Sequence, residues 1–375
     1  MGANASLAGR SASLILNEVT GAGGGSASVL NGILEVFGSP ARVIIANPNG
    51  MTCSGCGFIN TPRITLTTGV PQFLSAGGSA AAFEQSSALA FDVRSGRVWV
   101  DGSGLEGTAG RIDIVAETVV VDGPLRANLG PAGRIDLVAG RQRVAETADA
   151  EFVVSGNGAT NTAQSIRVGD PQSPAYAIDG SAFGAMTAGQ IRIIATPQGM
   201  GVRADAALAA STGNLTISSS GEMHVGSASA NQDVTLDSAG DLAAHGEVYA
   251  ARDVALRAGG GLRAADGISA GQHLDLQASG DVVLGRSTLA QGSATVVSHL
   301  GSVAAAGDIG ARTLDVYARS DVDLRGGVAI TGDATIGAEA SLALKQSVAV
   351  GGDLTIMVVG TTPEDERDLG VEGVG

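Results

Sequence analysis

Apolar and polar positions alternate along this chain in short runs. Such runs occur at Val43-Ile44-Ile45, Ile64-Thr65-Leu66-Thr67, Val98-Trp99-Val100, Ile112-Asp113-Ile114 and Val119-Val120-Val121, and again at Ile135-Asp136-Leu137, Ile191-Arg192-Ile193 and Leu215-Thr216-Ile217. Each is bounded by Gly, Asn, Asp, Pro or Ser, which is the signature of short strands between turns. No segment sustains a 3.6-residue apolar period with caps at both ends, so no helices are expected.

From about Asn231 to Val350 the pattern repeats every 20 residues. The fourth and sixth positions are apolar in every unit: Val234/Leu236, Val254/Leu256, Leu274/Leu276, Ala294/Val296, Leu314/Val316, Ala334/Ile336 and Leu354/Ile356. The twelfth position holds Leu242, Leu262, Val282, Val322 or Leu342, and the eighteenth Val248, Ile268, Val328 or Val348. The unit beginning at Gln291 fits worst, with Ser302 and Asp308 at those places. Residues two apart on a strand point to one side. Three inward patches per unit, separated by Gly, Asp and Ser corners, therefore describe one turn of a three-sided coil whose strands bond to the coils above and below. A single coil buries too little to offset its ordering entropy, so the array must stack as a solenoid. The fold class expected is all-β, a right-handed parallel β-helix with extra-helical loops.

Residues 1–204 carry similar strands with longer interruptions, and the regular repeats fill 205–360. The polar stretch from Arg141 to Ala175 reads as an excursion outside the coils. The last residues, 361–375, leave the repeat for an acidic run, Glu364-Asp365-Glu366-Arg367-Asp368, expected to be disordered.

Composition sharpens this picture. Gly contributes 57 residues and aromatics only 3%, against 44% hydrophobic residues, which suits a narrow layered core of small and β-branched side chains. The net charge of −15, with Lys345 the only lysine, gives no basic face for nucleic acid or an anionic membrane. There is no apolar run long enough for a transmembrane helix and no signal-peptide pattern at the start.

Little of the chemistry-bearing content is suited to catalysis. The carboxylates Asp233, Asp241, Asp253, Asp281, Asp321, Asp333 and Asp353 recur at repeat corners, which marks them as turn formers. The four histidines, His224, His245, His273 and His299, show no metal-ligand spacing, and no metal or cofactor is expected. A polysaccharide-degrading enzyme on a β-helix would want clustered acids and aromatic platforms, whereas Trp99 is the only tryptophan. Asn47-Pro48-Asn49-Gly50 forms a turn by mechanism, since proline presets φ and glycine accepts a positive one. Cys53 and Cys56 are too few for a structural zinc site and lack the helix of a redox motif. A local disulfide and a pair of free thiols remain open for them.

The run from Ala46 to Arg63, ANPNGMTCSGCGFINTPR, resembles the signature of two-partner secretion domains. These open filamentous haemagglutinins, haemolysins and contact-dependent inhibition exoproteins. Ile15-Leu16-Asn17-Glu18-Val19 and Leu66-Thr67-Thr68-Gly69 flank it in the family's manner. A second block, from Ala177-Ile178-Asp179 to Gly201-Val202-Arg203, is similar too.

The resemblance implies a non-catalytic secretion signal, recognised by the periplasmic domains of a TpsB-type outer-membrane transporter, heading the repeat stalk of a surface-exposed or secreted adhesin. It implies Asn47, Pro48, Asn49 and Gly50 as the recognition motif and a disulfide between Cys53 and Cys56. A haemolysin or contact-dependent toxin parent is the alternative, and host or neighbouring-cell surfaces are the partners such a parent would meet. The family's upstream Asn-Pro-Asn-Leu turn reads here Asn4-Ala5-Ser6-Leu7, a degenerate form resting on Asn4 and Leu7. The family's signal peptide and N-terminal cap are not matched. The expectation is of a truncated product that stays in the cytoplasm, its first coil presenting open strand edges.

Overall fold

The computed structural model describes residues 10–20, 25–74, 88–106, 109–128, 130–147, 151–155, 176–180, 184–196 and 200–360. Asn4, Leu7 and the acidic segment 361–375 lie outside them.

Every regular element among these residues is a strand, and three parallel sheets form the faces of one coil. The first sheet has 14 strands, beginning at Leu14–Glu18 and ending at Leu354–Val358. The second has 13 and the third 10. The fold is a parallel β-helix, and at about 4.8 Å per coil its first sheet extends roughly 60 Å.

Register is unbroken along the first sheet. Ile15, Val43, Ile64, Ile112, Ile135, Ile191, Leu215, Val234, Val254, Leu274, Ala294, Leu314, Ala334 and Leu354 form one column. The expected superposition of Val234, Val254 and Leu274 is therefore observed, each of them buried. Small and branched aliphatics fill the interior because each strand offers only two or three inward positions. Long aromatics would not fit three sheets converging so closely.

The poorly fitting unit at Gln291 has a simple cause. Val303 pairs with Val282, 21 residues before it, and with Val322, 19 residues after it. One corner carries an extra residue near Leu300, and the corner at Arg312 is one residue short. Val303 and Ile309, not Ser302 and Asp308, are the inward residues of that coil.

The corner aspartates do more than make turns. Asp241 Oδ1 accepts the Gly261 amide at 2.8 Å, Asp253 Oδ1 the His273 amide at 3.0 Å and Asp333 Oδ1 the Asp353 amide at 2.9 Å. Each carboxylate ties its corner to the next coil, about 20 residues on, satisfying an amide the sheets leave unpaired.

One part of the molecule departs from the coil. Val70–Leu74, Ala88–Asp92, Arg143–Glu146 and Phe152–Ser155 form a four-stranded antiparallel sheet. It lies on the outside of the first sheet, over its early coils. Phe91, Val93, Val144 and Phe152 meet Ile44, Val115 and Val138 there in a second core, separate from the interior one. The excursion read from Arg141 to Ala175 is partly this sheet; residues 156–175 lie outside the described ones.

Candidate functional site

The turn Asn47-Pro48-Asn49-Gly50 occupies the corner between the first sheet, at Arg42–Ala46, and the second, at Met51–Ile59. Gly50 donates its amide to Asn47 O at 3.0 Å, closing a β-turn. Gly50 has φ +103°, whereas Asn49 is not in the positive-φ region, so the turn is of type I with the glycine following it.

Asn47 is fully buried and every arm of its amide is used. Its Oδ1 accepts the Asn49 amide at 2.9 Å, and its Nδ2 donates to Ser28 Oγ at 2.8 Å and Ser26 O at 3.2 Å. Its backbone N–H donates to Thr67 O. The side chain thereby ties the turn to the coil before it and the main chain ties it to the coil after. On that later side the packing is backbone to backbone. A Cβ on Gly50 would come 2.9 Å from Arg97 O, and one on Gly96 (φ +94°) 2.7 Å from Pro48 O. Pro48 and Asn49 alone reach partly into solvent.

Cys53 and Cys56 are disulfide-bonded and buried. Cys53 stacks in the second sheet between Leu30 and Val100, and Cys56 bridges to Leu105 at the edge of the third. The bond thus spans a corner from inside the core, four residues beyond the turn.

A feature that the sequence pattern did not reveal lies under the antiparallel sheet. Arg42, Arg63, Arg111 and Arg134 occupy one column of four successive coils, with Arg192 nearby on the fifth. Threaded between them are Asp113 and Asp136, both fully buried, and Glu146 and Glu151 from the covering sheet and its turn. Arg42 pairs with Glu146 at 2.7 Å, and Arg63 bonds the same carboxylate as well as Asp113 at 2.6 Å. Arg111 bridges Asp113 and Asp136 at 2.8 and 2.7 Å, and Arg134 bridges Asp136 and Glu151 at 2.8 Å each. Phe152 lies across the Arg63 and Arg111 guanidiniums, 5.2 and 5.7 Å from its ring centre.

Burial pushes the Asp136 carboxyl above its ordinary range, reinforced by the charge of Asp113 and opposed by Arg111 and Arg134. Glu151 is held below its ordinary range by its hydrogen bond from Arg134. The signal that could have exposed this ladder is the recurring run Arg-Val-Ile-Ile-Ala (42–46), Arg-Ile-Asp-Ile-Val-Ala (111–116) and Arg-Ile-Asp-Leu-Val-Ala (134–139). Near-continuous apolar strands are those covered on both faces.

Among the described residues no three His, Cys, Asp or Glu side chains gather into a metal-holding group, and no helix is long and apolar enough to cross a membrane. The fold and its buried Asn-Pro-Asn-Gly corner thus define a parallel β-helical domain of the secretion-signal class. A family model described as "TPS secretion domain" matches residues 3–225, and the chain belongs to that family. The domains of this family serve export through a partner transporter, and the exoproteins that carry them are secreted or displayed at the cell surface.

The chain is 39% identical over 217 residues to "tRNA nuclease CdiA" of Escherichia coli strain STEC_O31, covering 58% of this chain and 6% of that protein. It is 36% identical over 223 residues to "Filamentous hemagglutinin" of Bordetella pertussis, again 58% of this chain and 6% of that protein. A crystal structure of a filamentous hemagglutinin secretion domain is 35% identical, with a TM-score of 0.48, covering 68% of this chain and 75% of that one. The chain therefore spans about 6% of the length of these curated relatives. The matched region is a secretion domain, not a nuclease domain.

Proposed function

We propose that Asn47, Pro48, Asn49 and Gly50 are the part of this secretion domain on which export through a TpsB-type outer-membrane transporter depends, and that they act by fixing the corner of an early coil. The observation that carries this is the complete burial of Asn47, whose amide bonds both the turn and the preceding coil. A transporter could not touch that side chain once the coil has closed. The motif therefore exerts its effect while the chain emerges and folds, with Pro48 and Asn49 the residues left within a partner's reach.

Functionally, residues 1–204 form the secretion unit and 205–360 begin a display stalk. In support, successive first-sheet partners are 24 residues apart between Ile191 and Leu215 but 19 to 21 apart beyond it. The chain itself carries no catalytic step, and any host or neighbouring-cell contact belongs to the longer exoprotein. Relatives titled as hemagglutinin and as CdiA toxins leave both kinds of parent in view.

The experiment is export of the full-length exoprotein, co-expressed with its transporter, carrying Asn47→Ala, Asn49→Ala or Asn214→Ala as a remote control. Asn47→Ala should nearly abolish export, Asn49→Ala should reduce it, and Asn214→Ala should leave it unchanged. Full export of Asn47→Ala would remove the motif from the mechanism.

A further inference from the structure

Two of the four histidines that the sequence shows far apart are brought together by the coil. His224 is the outward residue of the strand Met223–Val225 in the second sheet, and His245 directly follows the strand Leu242–Ala244 one coil on. The 21-residue separation is one coil plus one position, which is why no familiar ligand spacing is visible in the sequence.

The His224 Nδ1 and His245 Nε2 atoms are 3.4 Å apart. The ring centres are 5.6 Å apart and the planes 21° from parallel. The centre-to-centre distance exceeds the nitrogen separation by about two ring radii. The two nitrogens therefore face one another edge to edge, and the rings do not lie face on face.

We propose that His224 and His245 form a surface site for a divalent transition ion of the zinc, nickel and copper class. A tetrahedral zinc bonded at about 2.0–2.1 Å holds two nitrogen ligands roughly 3.3–3.4 Å apart, the separation seen here. Small rotations of both exposed rings would turn the facing nitrogens onto a common ion, with water completing the coordination. Imidazole pairs suit these ions, whereas magnesium and calcium prefer oxygen.

The surroundings orient the pair as ligands. Glu222 Oε1 lies 3.8 Å from His224 Nε2, the nitrogen that points away from His245. A carboxylate there favours the tautomer protonated on Nε2 and leaves the Nδ1 lone pair for a metal, the outer-shell arrangement common to metal-bound histidines. Tyr176 packs edge-on against His224, its ring centre 5.9 Å away, and limits the ring's freedom. The nearest cation, Arg203, is paired to Asp179 at 2.7 Å and lies over the Tyr176 ring. The backbones are equally fixed, since the His245 amide donates to Val225 O at 2.8 Å. A bound ion would staple two successive coils where the secretion-domain match ends, at residue 225.

The test is isothermal titration of the whole chain with zinc chloride, beside magnesium chloride, for the parent protein and for His224→Ala, His245→Ala and His299→Ala. The parent and His299→Ala should take up one zinc and no magnesium. His224→Ala and His245→Ala should each bind at least tenfold more weakly while keeping the parent's circular dichroism. Zinc should also slow amide exchange at residues 223–250 in the parent only. Binding should weaken from about pH 8 to about pH 6, because imidazole ligates in its neutral form. Equal zinc uptake by the parent and by the double variant His224→Ala/His245→Ala would overturn the site. So would undiminished binding in either single variant.

Discussion

The covered coils between Arg42 and Ala195 and the bare coils from Leu215 onward share one interior and differ only outside. In both regions the inward column is aliphatic and buried. Outward, the bare coils present Thr216, Thr235, Ala255, Asp275, Thr295 and Asp315, which need nothing but water. The covered coils present Ile44, Val115 and Val138, with arginines and aspartates between, all sealed by the antiparallel sheet. Stacking alone holds the repeats. The early coils add a clamp from segments far away in sequence, as in the Arg42 and Glu146 pair, 104 residues apart. The stalk is extensible and locally stabilised, whereas the secretion unit closes on itself.

That contrast breaks most severely at the outward positions. Val115→Asp places a charge without a partner in the second core and should cost about 3–5 kcal/mol. The outward counterpart Thr235→Asp should change stability by less than about 0.5 kcal/mol. Urea unfolding of the two variants checks the difference.

Phe152→Ala removes the side chain that packs edge-on against Phe91, ring centres 6.0 Å apart, and spans two guanidiniums. A loss of about 3–4 kcal/mol is expected. It should fall on the covered coils, so hydrogen exchange at residues 111–139 should accelerate while that at 254–278 does not.

Glu146→Ala strips Arg42 and Arg63 of their shared carboxylate and should cost about 3 kcal/mol, with proteolysis at the covering sheet as the readout.

The smallest effect is on acid stability. Glu151 has a folded pKa below its unfolded 4.5, so its contribution is present above 4.5 and fades as pH falls through the lower folded value. Asp136 runs the other way: with its folded pKa raised above 3.8, stability is fully present below 3.8 and falls as pH rises through the folded value. Glu151→Gln should therefore flatten the acid limb of a stability-against-pH curve. An unchanged limb would show that Glu151 is not coupled to Arg134 in solution.

Much of the solenoid was legible because inward positions recur at the coil length and tolerate only a few residue types. Ser302 and Asp308 misled because strict counting cannot follow an inserted residue that a later corner removes. The antiparallel sheet was half legible: Arg141 onward stood out as polar, but Val70–Leu74 and Ala88–Asp92 resemble ordinary coil strands. The arginine ladder and the facing histidines draw on residues from different coils, and their proximity follows from the register. The turn at Asn47 was readable as a turn, but its burial between two coils depends on Ser28 and Arg97, which no local pattern connects to it.

The continuity of register between secretion unit and stalk is tested most directly by cross-linking cysteine pairs at outward positions. Thr216 and Thr235 are partners on adjacent strands, within the reach a disulfide requires. Thr216→Cys/Thr235→Cys should oxidise to one internal bond in nearly every molecule, while the offset pair Thr216→Cys/Asp237→Cys should stay largely reduced. Equal cross-linking of the two pairs, or none in the first, would contradict the stacked coil.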